Sequence, residues 1–420
     1  MRIDGDRLLA DLRELAEIGR CGSGVHRPFL SQPDREARDW LVRRMCDAGL
    51  DARIDGIGNV FGQSRGVERA LLIGSHTDTV PRGGWLDGAL GVIYGLEIAR
   101  ARSESGEPGP LGVDVISFAD EESAYLAMAG SRAFCGYLSD AEIEAANHEE
   151  GRSLREALVE AGYAGRPFAT LDPDRQLAFL EAHIEQGPRL EAEGRRIGVV
   201  TGIVGIRRIQ VTFSGQSDHA GTTPMHLRKD AGAALIEFCH QLRPRLEEAR
   251  DADSVWNLGQ VAFDPGVGNV VPGSAEVLIE YRDQSVETLD RMQAEIQAAV
   301  AAADGRGGIT AEATQPLGLT PTTLDSDLAG LIAAAARGQG EEPLQMPSGA
   351  GHDAMVLSSR LPAAMLFVPS IGGRSHDVAE DTAEADIVLG AQVMADAVRA
   401  FLERGNARGR DSAGGEGSRG

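Results

Sequence analysis

Cysteine is scarce in this chain of 420 residues, and the four present, Cys21, Cys46, Cys135 and Cys239, are widely scattered with no CxxC pair. That scatter suits a reducing cytosol. Positive charge is in short supply as well: 41 Lys and Arg stand against 64 Asp and Glu, for a formal net charge of −23. Such a balance opposes binding to nucleic acid or to anionic membrane surfaces. Long apolar runs are missing too. No stretch of about 18 apolar residues occurs, and no apolar segment follows a basic start, so neither a membrane span nor a secretory leader is expected. These absences predict a cytoplasmic protein with no nucleic-acid or membrane partner. Internal repeats are lacking, and the one low-complexity stretch is 405–420, GNARGRDSAGGEGSRG. With almost no apolar residue to bury, it is expected to form a disordered tail.

What the chain does have is enough apolar sequence, 42% of it, to build two domains at this length. Residues 1–202 alternate helical spacings (Leu8, Leu9, Leu12 and Leu15; then Ala37, Trp40, Leu41 and Met45) with apolar strands at 70–74, 112–119 and 177–184. This α/β pattern resumes over 318–404, with a helix near 325–337, a strand near 362–369 and a last helix near 383–403. Between them, 203–317 read strand, helix, strand, strand, helix, strand. The segments are RRIQVTFSG; a helix carrying Leu227, Ala231, Leu235, Phe238 and Leu242; VWNLGQVAF; AEVLIEYRD; a helix carrying Leu289, Met292, Ile296 and Val300; and GITAEAT. That is the ferredoxin-like βαββαβ order. An insert of this kind, with Gly202, Gly205 and Gly318 near its two connections, is expected to act as a lid.

Five polar islands lie where apolar runs end: GSHTDTV, WLDGALG, FADEES, EAHIEQG and GGRSHDV. Three histidines and several carboxylates at such positions suggest a metal site. His76 closes LLIGSH, and Asp78 follows two residues later. If the strand persists, both side chains share a face and Asp78 can orient the His76 ring; a polar strand end before a loop reads the same way. Asp87 precedes the helical spacing of Leu90, Ile93, Tyr94 and Ile98, so a ligand and an N-cap are equally open. Glu121 and Glu122 are adjacent at the end of VDVISFADEES. Neighbours on an extended chain face opposite ways, which lets one carboxylate hold metal while the other takes a proton from an attacking water. A solvated acidic turn is the alternative. His183, with Gln186 three residues on, and His376, after a Gly-Gly turn, complete the set.

These residues, together with the strings HIEQGP, SDHAGTTPM, NVVPG and SGAGHDA, make the chain resemble the M20-type binuclear metallohydrolases from about Ile18 to about Leu402. Within them it is similar to the amidase and carbamoylase branch, which includes allantoate amidohydrolase, N-carbamoyl-L-amino acid amidohydrolase and beta-ureidopropionase. The resemblance implies a zinc-peptidase-like α/β catalytic domain with an inserted ferredoxin-like domain that is both lid and homodimer contact. It implies His76, Asp87, Glu122, His183 and His376 as ligands of two divalent metal ions, with Asp87 bridging them. Glu121 would be the general base and Asp78 the orienting partner of His76. Zn, Mn, Co or Ni suits such a donor set. Arg282 and Asn269 match residues that hold the carboxylate of an N-carbamoyl amino acid, and Gln186 matches one beside the scissile group. His219 matches a histidine that the partner subunit inserts to stabilise an oxyanion. His352, in SGAGHDA, recurs in the branch with no firm role.

The implied reaction is hydrolysis of a linear amide or ureido C–N bond in a small anionic substrate such as an N-carbamoyl amino acid, allantoate or beta-ureidopropionate. An aminoacylase or dipeptidase shares the chemistry. A catalytically silent carboxylate-binding homologue is the other class, but such a chain loses a ligand or the base, and here all are present. Two departures from the family bear on substrate choice. After the acidic pair the chain reads EESAYLAMAGSR, shorter than the relatives' loop and lacking the arginine they carry there. Arg374 and Asp377 flank Ser375 and His376, where relatives have an apolar residue and a small polar one.

Overall fold

The computed structural model describes residues 1–106, 109–148 and 151–413, with 405–413 described by backbone alone. The chain forms two compact units: Met1–Thr201 with the residues from Thr323 onward, and Gly202–Thr322. The second crossing falls later than position 318 because the last long strand of the smaller unit, Thr310–Leu319, runs past it.

In the larger unit the strands Arg69–His76, Leu111–Phe118, Gln176–Ile184 and Ala363–Val368 run parallel at the centre of a nine-stranded sheet. They are covered on both faces, which is why each reads as a nearly unbroken apolar run. Antiparallel strands flank this centre, Val60–Gln63 and Asp51–Ile54 on one side and Gly198–Ile203 on the other. The helix Gly5–Glu17 starts at Asp4, whose carboxylate caps the Arg7 amide, and Gln32–Asp47 starts at Ser31 with a proline in its first turn. Ala89–Glu104 is buried over most of its length. It approaches the sheet closely at Gly91, where a Cβ would stand 2.3 Å from the Ala182 carbonyl oxygen. Leu8, Leu12, Ile93, Leu96, Leu180, Leu366 and Met394 belong to the core that these layers enclose. Burying each such side chain contributes about 1.5–3 kcal/mol.

Because the four central strands point the same way, their C-terminal ends gather at one edge of the sheet, where open α/β sheets place their ligands. His76 ends its strand beside Phe118, and His183 stands one residue before the end of its own beside Phe367.

The smaller unit has a four-stranded antiparallel sheet in the order Val255–Asp264, Ser274–Asp283, Gly205–Ser214, Thr310–Leu319. The helices Ala231–Ala249 and Val286–Ala303 share its core through Leu235, Phe238, Leu242, Met292 and Ile296. This is the ferredoxin-like arrangement. Its first helix begins at Ala231, where Asp230 caps the Ala233 amide, and does not include Leu227, which is exposed in the 3₁₀ turn Met225–Leu227.

The last helix, Glu384–Ala413, runs past Gly405, where composition predicts disorder. The packed part of the helix supplies the nucleus, so each further residue meets only the cost of propagation. Residues 414–420 of the predicted tail lie outside the described residues. Among the described residues no helix is long and apolar enough to cross a membrane.

Candidate metal centre

Asp87 is the hub of the arrangement. Its Oδ1 lies 3.1 Å from His183 Nε2 and 3.6 Å from His76 Nε2, while its Oδ2 lies 3.5 Å from His376 Nε2. His376 Nε2 is 3.6 Å from Glu122 Oε2. One carboxylate thus belongs to two groups, His76, Asp87 and His183, and Asp87, Glu122 and His376. In each group, ligand atoms from all three residues lie within 4.8 Å of one another.

Local chain geometry explains the convergence. His76 and His183 turn Nδ1 toward the carbonyl oxygens of Asp78, at 3.0 Å, and Ile184, at 2.9 Å, so that Nε2 of each faces Asp87. Gly88 has φ +64° and leaves room for the His76 ring, which a Cβ there would approach to 2.4 Å. Gln186 donates to Asp87 Oδ2 at 2.9 Å. Glu121 Oε2 stands 3.6 Å from His76 Nε2, so Glu121 and Glu122 face different histidines. They do so from a turn, because the strand stops at Phe118. The Asp120 carboxylate holds that turn, accepting the amides of Ala124, Tyr125 and Leu126 at 2.6, 3.0 and 2.7 Å.

Asp78 meets His76 differently from the expectation. The strand ends at His76, so the alternation that would align the two side chains is lost, and the Asp78 backbone carbonyl takes the ring nitrogen. Its carboxylate instead accepts the Glu122 amide at 3.2 Å and lies 3.7 Å from the buried guanidinium of Arg38, which Asp34 holds at 2.8 Å. His352 packs edge-on to His183 with ring centroids 4.6 Å apart, and its Nε2 meets Ser348 Oγ at 2.8 Å. Burial, then the neighbouring His183, hold it well below the ordinary imidazole range.

Sequence reasoning overlooks two supporting carboxylates. Glu181 accepts Ser75 Oγ at 2.7 Å and the Ala354 amide at 2.9 Å. Its signal is its place two residues before His183, on the same strand face. Glu380 accepts the amides of Leu86 and Asp87 at 3.2 and 3.0 Å, and no pattern in the sequence points to it.

Crowding these acids is costly without cations. Burial, then the charges of Asp87 and Asp78, push Glu122 up to about 10. Burial, then Asp353 and Glu122, push Glu121 well above the usual carboxylate range. For Asp87 and His183 burial works against charge, but their mutual hydrogen bond and attraction prevail, holding Asp87 below its usual range and raising His183 to about 9. Glu122 Oε1 is buried with no hydrogen-bond partner among the described residues. Converging imidazole nitrogens, an orphaned carboxylate oxygen and uncompensated acids together fit divalent cations.

In the smaller unit, His219 pairs with Val270, and the Ala220 amide donates to the Asn269 carbonyl at 3.0 Å, which sets His219 beside Asn269. His219 Nδ1 accepts the amides of Gly221 and Thr222 at 3.0 and 3.2 Å, leaving the ring proton on Nε2. Arg282 is elsewhere. In the ladder between Val255–Asp264 and Ser274–Asp283 it faces Val255, while Ser274 faces Asp264 at the end that leads into the Asn269 loop. At ~3.3 Å per residue the two ends are on the order of 25 Å apart. The Arg282 guanidinium pairs with Glu280 at 2.7 Å. A single chain therefore does not bring Asn269 and Arg282 to one carboxylate.

Fold and site define a class: an α/β chain with a ferredoxin-like insert and a candidate metal centre at the C-terminal edge of its sheet. The chain belongs to peptidase family M20/M25/M40, whose profile matches residues 72–400. It is 34% identical over 412 residues to the N-carbamoyl-L-amino-acid amidohydrolase of Paenarthrobacter aurescens, covering 95% of this chain and 98% of that one. To the allantoate amidohydrolase of Bacillus subtilis (strain 168) it is 34% identical over 388 residues, covering 91% and 94%. A solved amidase of the hydantoinase/carbamoylase family from Burkholderia phymatum matches it with a TM-score of 0.90 and 48% identity, over 96% of this chain and 98% of that one.

Proposed function

We propose that this chain is a hydrolase of linear, non-peptide C–N bonds that removes the carbamoyl group from an N-carbamoyl amino acid or ureido acid. It would use two divalent cations held by His76, Asp87, Glu122, His183 and His376. The observation that carries this reading is Asp87, whose two oxygens face separate ligand groups. When bound, the cations, Zn foremost and Mn, Co or Ni by the same donor chemistry, would lower the pKa of a water and polarise the substrate carbonyl.

The chain's own groups supply the rest. Glu121 takes the proton of the attacking water as its oxygen adds to the carbamoyl carbon, then delivers it to the amino-acid nitrogen as the C–N bond breaks. The remaining carbamic acid splits into carbon dioxide and ammonia. Gln186, which donates to Asp87 Oδ2, would lie beside the scissile group. His219, with its proton on Nε2, serves the tetrahedral oxyanion, and Arg282 offers a planar fork to the substrate carboxylate.

A homodimer through the smaller unit would bridge the separation of Asn269 and Arg282, with His219 and Asn269 of one copy acting with Arg282 of the other on one substrate. The edge strand Val255–Asp264 supports this, since among the described residues one side of it is unpaired in its sheet and Val255, Val261 and Phe263 are exposed. The insert's role as lid belongs to the same proposal. So does a cytoplasmic location, which the four unbridged cysteines suit.

A metal-supplemented panel of N-carbamoyl, N-formyl and N-acyl amino acids, with allantoate and beta-ureidopropionate, scored for released amine or ammonia, tests the reading. Turnover is expected for carbamoyl or ureido members. Turnover of N-acyl substrates alone, or none with Zn, Mn, Co or Ni, would overturn it.

A further inference from the structure

Asp87 and the His376 loop are joined by contacts that no catalytic step uses. Glu380 is buried four residues beyond His376, and its Oε1 accepts the backbone amides of Leu86 at 3.2 Å and Asp87 at 3.0 Å. Its Oε2 lies 3.1 Å from Ser375 Oγ, which is also 3.1 Å from Asp87 Oδ2 and 3.2 Å from Gln186 Nε2. The facing loop leaves space for this carboxylate: a Cβ on Gly84 would stand 1.9 Å from Glu380 Oε1.

The candidate ligands differ in how firmly they are held. His76 and His183 ride on central strands, each with Nδ1 fixed to a backbone carbonyl. His376 is exposed, on a loop where Gly372, Gly373 and His376 itself all have positive φ. Among the described residues no hydrogen bond engages its Nδ1. What ties this loop to Asp87 is the Glu380 and Ser375 network. Ser375 has one proton to share between two carboxylates, and Gln186 donates into its lone pair, so each member constrains the others.

We propose that Glu380 and Ser375 are positioning residues that clamp the His376 loop to Asp87 and thereby set the cation site formed by Asp87, Glu122 and His376. The inference rests on the two-cation reading above. Partners of metal ligands of this kind change affinity by about 10–100-fold.

Zinc titration of the full chain against a chromophoric chelator tests the clamp, with two ions expected for the unaltered chain. Glu380→Ala should hold one ion unchanged and the other about 10–100-fold more weakly. Glu380→Gln, which keeps an acceptor at Oε1, should restore most of the loss. Ser375→Ala should weaken the same ion while leaving the Tm of the chelated chain unchanged. Two ions bound by Glu380→Ala and Ser375→Ala as tightly as by the unaltered chain would overturn the clamp. If Glu380→Ala does not fold, Ser375→Ala decides in the same way. An unaltered chain that binds fewer than two ions overturns the two-cation reading instead, and the clamp with it.

Discussion

Glu121 and Glu122 are chemically alike and adjacent, yet a turn sends one toward His76 and the other toward His376. On this basis Glu121→Gln should lower kcat by about 10²–10⁴-fold while leaving bound metal unchanged, as removal of a general base does. Steady-state rates with metal content measured on the same sample check this, and an unimpaired Glu121→Gln contradicts the assigned base. His76 and His183 are legible because they stand at or next to the end of an apolar run, the signature of a strand end in an α/β sheet, whereas Asp87, Glu122 and His376 lie in connections and enter the ligand set through the resemblance. The contact of Asp78 depends on whether the strand continues for two more residues, and hydrophobic pattern does not fix strand ends that finely. Glu380 left no trace in the pattern, since its partners are backbone amides brought to it only by the folded loops.

At the scale of elements, strands buried on both faces announce themselves, whereas short half-exposed ones such as Asp51–Ile54 do not. The spacing of Leu227 to Ala231 is helical, yet the helix starts only after the Asp230 cap. Long elements, read by period, are robust; their boundaries follow from caps and turns. The ladder that separates Arg282 from the Asn269 loop also sets a test of assembly. His219→Ala and Glu121→Ala chains, each inactive alone, should on mixing recover toward about a quarter of full activity, since half of randomly paired dimers carry one complete site of two. No recovery under conditions of demonstrated subunit exchange counts against the shared site.

For the whole molecule, the acid cluster couples stability, metal and pH. Without cations, His183 and Glu122 are raised from 6.5 to about 9 and from 4.5 to about 10, so the folded chain keeps protons that the unfolded chain has released. Stability falls with pH wherever the folded state binds more protons, which here spans the range between those unfolded and folded values. Metal binding needs the same atoms bare, expels the protons and tightens as pH rises. The Tm gap between metal-loaded and chelated protein should widen from about pH 5 to about pH 9. A gap that narrows over this range contradicts the linkage. Most directly of all, anomalous scattering from crystals grown with zinc locates the cations. Two peaks are expected about 3.5–4 Å apart, each within bonding reach of a different oxygen of Asp87; a single peak, or peaks that leave Asp87 untouched, would contradict the shared carboxylate.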